Sequence, residues 1–494
     1  MTPQIHPPSC CGTGIEGLDA VLNGGLASSR VYLIEGTPGA GKTTLAMQFL
    51  REGARLGERC LYITLSETRD ELLASATNHG WNVEGIDIRE YIVSDASVER
   101  DSELTMFHTS EIELGDTLQR MLSDIRAHAP QRVVLDALSE LRLLSESVLR
   151  YRRQLLALKR FFAERQCTAL VLDDQSMAER DSHVESIVHG VISLEHQLTD
   201  YGADRRRLRV RKLRGRGFHT GLHDYVIRTG GLLVFPRLVA SEHATSFQRL
   251  SIASGIVALD ELFGGGPQLG TSTLLIGPAG CGKTTLAMQY GVAAANRGER
   301  VAVYLFDELR GLLIDRLGEV GIDLKDVTAS GVLTLRQIDP TEMSPGEFAS
   351  VVRHDVEQGG ASVVVVDSLN GYLNAMPHEQ FLAAQLHELL SYLGYRGVAT
   401  MIVVGQQGIV GSYMTTPVDA SYLADTIMMF RFFEAEGQLR KAISVTKKRG
   451  GRHENTIREL TIDTDGVRVG PALSQFHGVL TGAPQIRAPV LVSR

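Results

Sequence analysis

The apolar positions of this chain gather into short, nearly continuous runs rich in Val, Ile and Leu, separated by longer stretches with helical spacing. In the first half the runs are RVYLIEG, RCLYITLSE, RVVLDAL and TALVLDD. In the second they are STLLIG, RVAVYLFDE, SVVVVDSL and ATMIVVGQQ. A strand with one face in water alternates, whereas a run apolar at every position is covered on both faces. The pattern therefore predicts an α/β fold with a mostly parallel, twisted sheet flanked by helices. Ligands of such sheets sit beyond the carboxyl ends of the strands, so the residues that close each run are the first candidates for chemistry.

The pattern occurs twice. Residues 14–50 read GIEGLDAVLNGGLASSRVYLIEGTPGAGKTTLAMQFL, and residues 255–290 read GIVALDELFGGGPQLGTSTLLIGPAGCGKTTLAMQY. The matching glycines Gly36 and Gly277 lie 241 residues apart, too far for a solenoid unit and right for a domain. A tandem duplication with domains at 1–245 and 246–494 is expected, the seam falling where VFPRL gives way to the aperiodic ASEHATSFQRL.

Each copy carries a complete phosphate loop. Gly36, Thr37, Pro38, Gly39, Ala40, Gly41, Lys42 and Thr43 form the first, and Gly277, Pro278, Ala279, Gly280, Cys281, Gly282, Lys283 and Thr284 the second. Both follow an apolar run and open a helix beginning TTLAMQ, which brings Thr44 and Thr285 into the site. Glycines let successive backbone N–H groups turn inward around phosphate, and the helix N-terminus adds its positive end. Lys42 and Lys283 are expected to reach the β- and γ-phosphates of ATP, with Thr43 and Thr284 on Mg²⁺. Asp136 after RVVL and Asp367 after VVVV fit the acid that supports the metal. Between loop and acid, the second run ends in Ser66 and Glu67 in one copy and Asp307 and Glu308 in the other. A carboxylate there can polarise a water or accept a hydroxyl proton.

Composition narrows the class. Hydrophobic residues make up 43% and charged residues 22%, ordinary for a globular protein. No run approaches the roughly 18 apolar residues that span a bilayer, and MTPQIHPPSCC lacks the features of a secretory signal, so a cytoplasmic location without membrane attachment is expected. The cysteines Cys10, Cys11, Cys60, Cys167 and Cys281 have no metal-ligand spacing and are expected to be free thiols. The net charge of −8 argues against a dedicated nucleic-acid protein. The basic stretch RRRLRVRKLRGR at 205–216 does not overturn that, because period-2 spacing divides its cations between two strand faces.

The repeated GIEGLD/GIVALD entry, the acids after the second strand, and Lys212-Leu213-Arg214-Gly215 with Lys447-Lys448-Arg449-Gly450 resemble KaiC and its relatives within the RecA-like ATPases, across essentially the whole chain. The resemblance implies two tandem RecA-like P-loop domains in a double-ring homohexamer with ATP between subunits. It implies hydrolysis in the N-terminal ring and serine/threonine autophosphorylation in the C-terminal ring. Lys212, Leu213, Arg214, Lys441, Lys447, Lys448 and Arg449 become ATP contacts, the i and i+2 cations acting from the neighbouring subunit. Glu67 and Asp307 become catalytic acids, Glu308 beside the latter, and Asp307 a further magnesium ligand. Ser421 aligns with a family phosphoacceptor and Thr416 with another. Tyr422 stands where the family has a second acceptor, which leaves single-site phosphorylation at Ser421 as the expectation. A KaiB-like protein is the candidate further partner. The chain closes soon after FHGVLTGAPQIRAPVLVSR, without the longer charged tail that binds KaiA in clock members, which weighs against KaiA binding. Two other readings stay open, a nucleotide-gated scaffold with little chemistry and a nucleic-acid-dependent ATPase of the RecA class.

Overall fold

Val31–Gly36 is buried at every position and forms β1, the strand on which the first half is organised. In the computed structural model, residues 10–91, 109–143, 148–174, 182–374, 381–406, 424–481 and 485–486 are described. The chain divides into two compact units, Met1–Arg237 and Leu238–Arg494.

In the first unit β1 is followed by β2 (Cys60–Thr64), β3 (Ile86–Glu90), β4 (Arg132–Asp136) and β5 (Thr168–Asp174). Then come β6 (Gly190–Gln197), β7 (Arg205–Leu213), β8 (His223–Arg228) and β9 (Gly231–Phe235). The second unit repeats the set as β10 (Ser272–Gly277), β11 (Val301–Leu305), β12 (Leu333–Gln337), β13 (Val363–Asp367) and β14 (Ala399–Gly405). It ends with β15 (Thr426–Ala435), β16 (Gln438–Lys448), β17 (Arg458–Asp463) and β18 (Gly466–Ala472). The order in the first sheet is β3-β2-β4-β5-β1-β6-β7-β8-β9, and the second sheet follows the same order nine numbers higher. Neighbours from β3 to β6 are parallel and those from β6 to β9 antiparallel, as are their counterparts. The fully apolar runs of the sequence are thus the central parallel strands. The basic stretch is β7, the first antiparallel strand.

Each sheet is covered on both faces. In the first unit, helix α1 (Lys42–Arg55) sends Leu45, Ala46, Phe49 and Leu50, spaced to fall on one side, against Ile34, Tyr62 and Val134. The opposite face packs Leu33, Ile63, Leu135 and Val171 against Leu155, Leu158 and Phe162 of the helix Val148–Glu164. In the second unit α2 (Lys283–Asn296) takes the place of α1. Among the described residues no helix is long and apolar enough to cross a membrane.

Candidate nucleotide sites

The loop that leaves β1 is shaped by glycine. A Cβ on Gly36 would stand 2.6 Å from the Leu194 carbonyl oxygen, and one on Gly41 would stand 2.5 Å from Ile227 Cδ1. Gly39 and Gly41 have φ of 77° and 92°, and Gly280 and Gly282 repeat this at 78° and 100°. These left-handed steps cost L side chains energy and cost glycine little. Such steps let a loop turn its N–H groups toward an anion ahead of a helix N-terminus, and each loop leads into α1 or α2.

Inside each loop the lysine folds back. Lys42 Nζ donates to Gly36 O at 2.9 Å and Thr37 O at 3.1 Å, and pairs with Asp174 Oδ1 at 2.6 Å. Lys283 Nζ donates to Gly277 O at 2.9 Å and Pro278 O at 2.6 Å, with Cys281 Sγ 3.7 Å away. The threonine hydroxyl that follows meets the acid at the end of the neighbouring-but-one strand. Thr43 Oγ1 donates to Asp136 Oδ2 at 3.2 Å, and the Asp136 carboxylate also accepts from Tyr62 OH at 2.5 Å. In the second half Thr284 and Asp367 occupy the equivalent positions, at the start of α2 and the end of β13. Both acids are buried. Burial raises the Asp136 carboxyl, opposed by the Tyr62 and Thr43 hydroxyls and by Lys42. Asp367 is pushed up to about 6, first by burial and then by Glu308 and Asp307, while Thr284 and Arg316 oppose the rise. Val303 stands in β11 where Tyr62 stands in β2, so the second acid lacks that phenol donor.

The residues fit a magnesium nucleotide. Each loop offers glycines in the left-handed region, one ammonium and a threonine hydroxyl, with a buried carboxylate at the end of a nearby strand. Among the described residues no group of three or more His, Cys, Asp or Glu could by itself hold a metal ion.

The acids after the second strand differ between halves. Glu67 is half-buried; its N–H donates to Thr64 Oγ1 at 3.0 Å and its carbonyl accepts from the same hydroxyl at 2.7 Å. Burial raises its carboxyl, and Asp136 and Glu71 add to the rise. Ser66 is exposed. Asp307 Oδ2 accepts from Ser368 Oγ. Glu308 is gripped by the Arg316 guanidinium at 2.9 and 2.8 Å, and Arg316 also donates to Thr285 Oγ1 at 3.3 Å. The acids that the sequence treats as a pair therefore have different duties here. One is held by a hydroxyl, the other by a cation.

A one-residue bulge sets the direction of the basic side chains. Val191 pairs with Lys212 but Ile192 pairs with Val210, leaving Arg211 as the extra residue. In the second sheet Ile427 pairs with Lys447 and Met428 with Val445, leaving Thr446. The extra residue breaks strict alternation. Val210 and Leu213 both face the α1 side of the sheet, while Lys212 and Arg214 turn to the other side with Val191. There Lys212 Nζ donates to Glu185 O and to Val188 O at 2.9 Å, and Arg214 donates to Ser186 O at 2.8 Å. Lys159 reaches Ile187 O at 2.6 Å. Three cations thus gather on carbonyls at the C-terminal end of the helix Ser182–Ile187, its negative end. The Lys212 ammonium is lowered by burial and then by Arg214 and Lys159. Lys447 is lowered by burial and then by Arg449, and it donates to Ala424 O at 2.8 Å. Arg449 stays largely exposed, 3.6 Å from Asp425. Lys448 points the other way, donating to Phe263 O. Lys441 lies across from Phe432 on β16, close enough to lower the Cys281 thiol that burial raises. The structure thus brings Lys447 and Arg449 together and separates Lys448 from them. Ser421, Thr416 and Tyr422 lie outside the described residues.

Sequence reasoning passed over Asp174, Tyr62, Arg211, Lys159 and Arg316. Asp174 was open to detection, because superposing the two repeats sets it against Gly405. Tyr62, Arg211 and Lys159 depend on partners in other strands or helices, whereas Arg316 reaches Glu308 just ahead of its own helix.

A family model described as the KaiC ATPase matches residues 11–239 and again 252–474. The chain is 27% identical over 479 residues to the circadian clock oscillator protein KaiC of Parasynechococcus marenigrum (strain WH8102), covering 96% of this chain and 92% of that one. It is 26% identical over 479 residues to the KaiC of Picosynechococcus sp. (strain PCC 7002), with 96% and 92% covered. Against the KaiC of Prochlorococcus marinus subsp. pastoris the figures are 27% over 478 residues, 96% and 93%.

Proposed function

Because the chain belongs to the KaiC ATPase family, with that family's domain occurring twice, we propose that it is a magnesium-dependent ATPase whose second half also phosphorylates its own serine. The observation that carries the reading is the doubled loop with its folded-back lysine, Lys42 and Lys283, followed in each half by a threonine and matched by a buried strand-end acid, Thr43 with Asp136 and Thr284 with Asp367. Thr43 with Asp136, and Thr284 with Asp367 and Asp307, would hold Mg²⁺, whose charge offsets that of the phosphate oxygens. In the first half Glu67, its carboxyl raised by burial, orients the attacking water and takes its proton. In the second half Asp307 accepts the proton of the Ser421 hydroxyl. The hydroxyl oxygen bonds to the γ-phosphorus as the bond to the β–γ bridging oxygen breaks, and ADP leaves.

Lys212 with Arg214, and Lys447 with Arg449, serve the nucleotide of an adjacent subunit in a homohexamer. Burial first, and then the neighbouring like charges, lower the affinity of each lysine for its proton, and an anion placed between the cations offsets their repulsion. A timing or signalling role and a KaiB-like partner follow from the family rather than from the geometry.

Incubation with γ-labelled ATP followed by phosphosite mapping tests the assignment. Label on Ser421 that disappears in Lys283→Ala is expected; normal labelling of that variant would refute the kinase half. A second reading, a ring cemented by nucleotide with little chemistry, draws support from Arg316, whose grip on Glu308 removes one of the two acids. Nucleotide-dependent assembly without phosphate release or label would favour it.

A further inference from the structure

The two loop lysines differ in their third partner. An ammonium has three N–H donors. On Lys42 they meet Gly36 O, Thr37 O and, at 2.6 Å, the carboxylate of Asp174. On Lys283 the first two meet the equivalent carbonyls, but the third polar neighbour is the Cys281 sulfur at 3.7 Å, a weak acceptor. The register is the same in both sheets, and the residue at one position accounts for the difference. Asp174 is the last residue of β5 and lies opposite Gly36 of β1, whereas the second sheet sets Gly405 opposite Gly277. A carboxylate anchored to the strand beside the phosphate loop is therefore a property of the first half alone.

We propose that Asp174 is a displaceable internal counter-ion of Lys42, a positioning residue that lowers the affinity of the first site for ATP. The proposal rests on reading the loop as an ATP site. A phosphate oxygen that takes an N–H of Lys42 competes with the one acceptor of the three that carries charge. A carboxylate and a phosphate on the same ammonium repel each other across a few ångströms, so the two ligands exclude one another. The acid is the partner that moves. Its side chain is 46% exposed and can turn into water, whereas Lys42 is 9% exposed and held by two loop carbonyls. Without nucleotide the pair compensates the lysine's charge inside the loop. With nucleotide that compensation is forfeited, and affinity falls accordingly. The second site, lacking the acid, binds without this competition.

The test uses the full chain carrying Lys283→Ala, which silences the second loop, and measures MgATP affinity by calorimetry with and without Asp174→Asn. A part-exposed ion pair of this kind corresponds to a change of about fivefold, so Asp174→Asn tightens binding by about that factor. Asp174→Glu, which keeps the charge, stays near the parent, and added salt narrows the gap between parent and Asn variant. Unchanged or weaker binding in Asp174→Asn overturns the proposal. So does loss of phosphate release at unaltered affinity, which would make Asp174 a base. If the Lys283→Ala parent itself binds no nucleotide, the ATP-site reading falls, and the counter-ion with it. If parent and Asn variant bind equally, only the counter-ion falls.

Discussion

Buried beneath the second phosphate loop, the Asp367 carboxyl titrates near 6, against 3.8 for an ordinary aspartate. Between those values the folded protein holds a proton that the unfolded chain has released. The raised acid therefore favours folding more as pH falls from about 6 toward 4, and above 6 its ionised form opposes folding. The difference corresponds to roughly 3 kcal/mol. Asp367→Asn should accordingly raise the thermal midpoint of the ligand-free protein by a few degrees at pH 7.5, with the gain shrinking toward pH 4.5, while phosphoryl transfer in the second half is lost. Scanning calorimetry at the two pH values checks the first part and labelled ATP the second. Asp136, supplied with the Tyr62 phenol, should gain less from the same change. At this scale the sequence is legible where chemistry demands fixed spacing. Both loops and both strand-end acids can be read directly. Asp174 shows as a difference between the repeats, but the partners of Asp174 and Tyr62 do not, because what they touch is set by strand order, which is absent from a linear pattern.

Among the elements, β7 shows how a single extra residue changes what a strand presents. Strict alternation from Val210 would turn Lys212 and Arg214 into the apolar layer under α1; with Arg211 inserted, both face the other side. Period-2 spacing groups the two cations on one face correctly but does not say which face, since a bulge leaves no periodic signature. Arg211 is itself employed, pairing with Glu35 at 2.9 Å and Glu185 at 2.7 Å. Glu35 is buried near the end of β1, just before the phosphate loop, and also accepts from Ser193. The second half has Ile276 and Thr446 at these two positions. Arg211→Thr alone should destabilise the first unit by about 1–3 kcal/mol, because it leaves a buried carboxylate with too few partners. Adding Glu35→Ile should restore most of the loss, since an apolar isostere replaces a buried pair at little cost. Urea unfolding of parent, single and double variants measures both terms.

For the molecule as a whole, the position of the cations beyond the sheet's parallel region makes a claim about assembly. If Lys212 and Arg214 act on a neighbour's nucleotide, a subunit with dead loops (Lys42→Ala with Lys283→Ala) and one with dead fingers (Arg214→Ala with Arg449→Ala) are each inactive alone. Mixed together they should recover a measurable part of the phosphate release of the parent, since some interfaces then unite an intact loop with intact fingers. No recovery at any ratio would confine each nucleotide to one chain. The duplication, the mostly parallel sheets and the sites at their strand ends are all legible in the linear pattern, because a complete eight-residue motif that returns 241 residues later in the same strand-to-helix setting marks a copied domain. The three antiparallel strands that complete each sheet are less so, since half-exposed edge strands dilute the apolar signal that marks buried ones.

The offset in β7 recurs at the same step of β16. A device present in both copies predates the event that copied it, whereas the Glu35 and Arg211 pair, the Tyr62 phenol and the Asp174 carboxylate belong to one copy and mark where the halves diverged. The ancestor was then a single domain that already held its basic pair outward. The charges around the inherited loop have since come to differ between the halves.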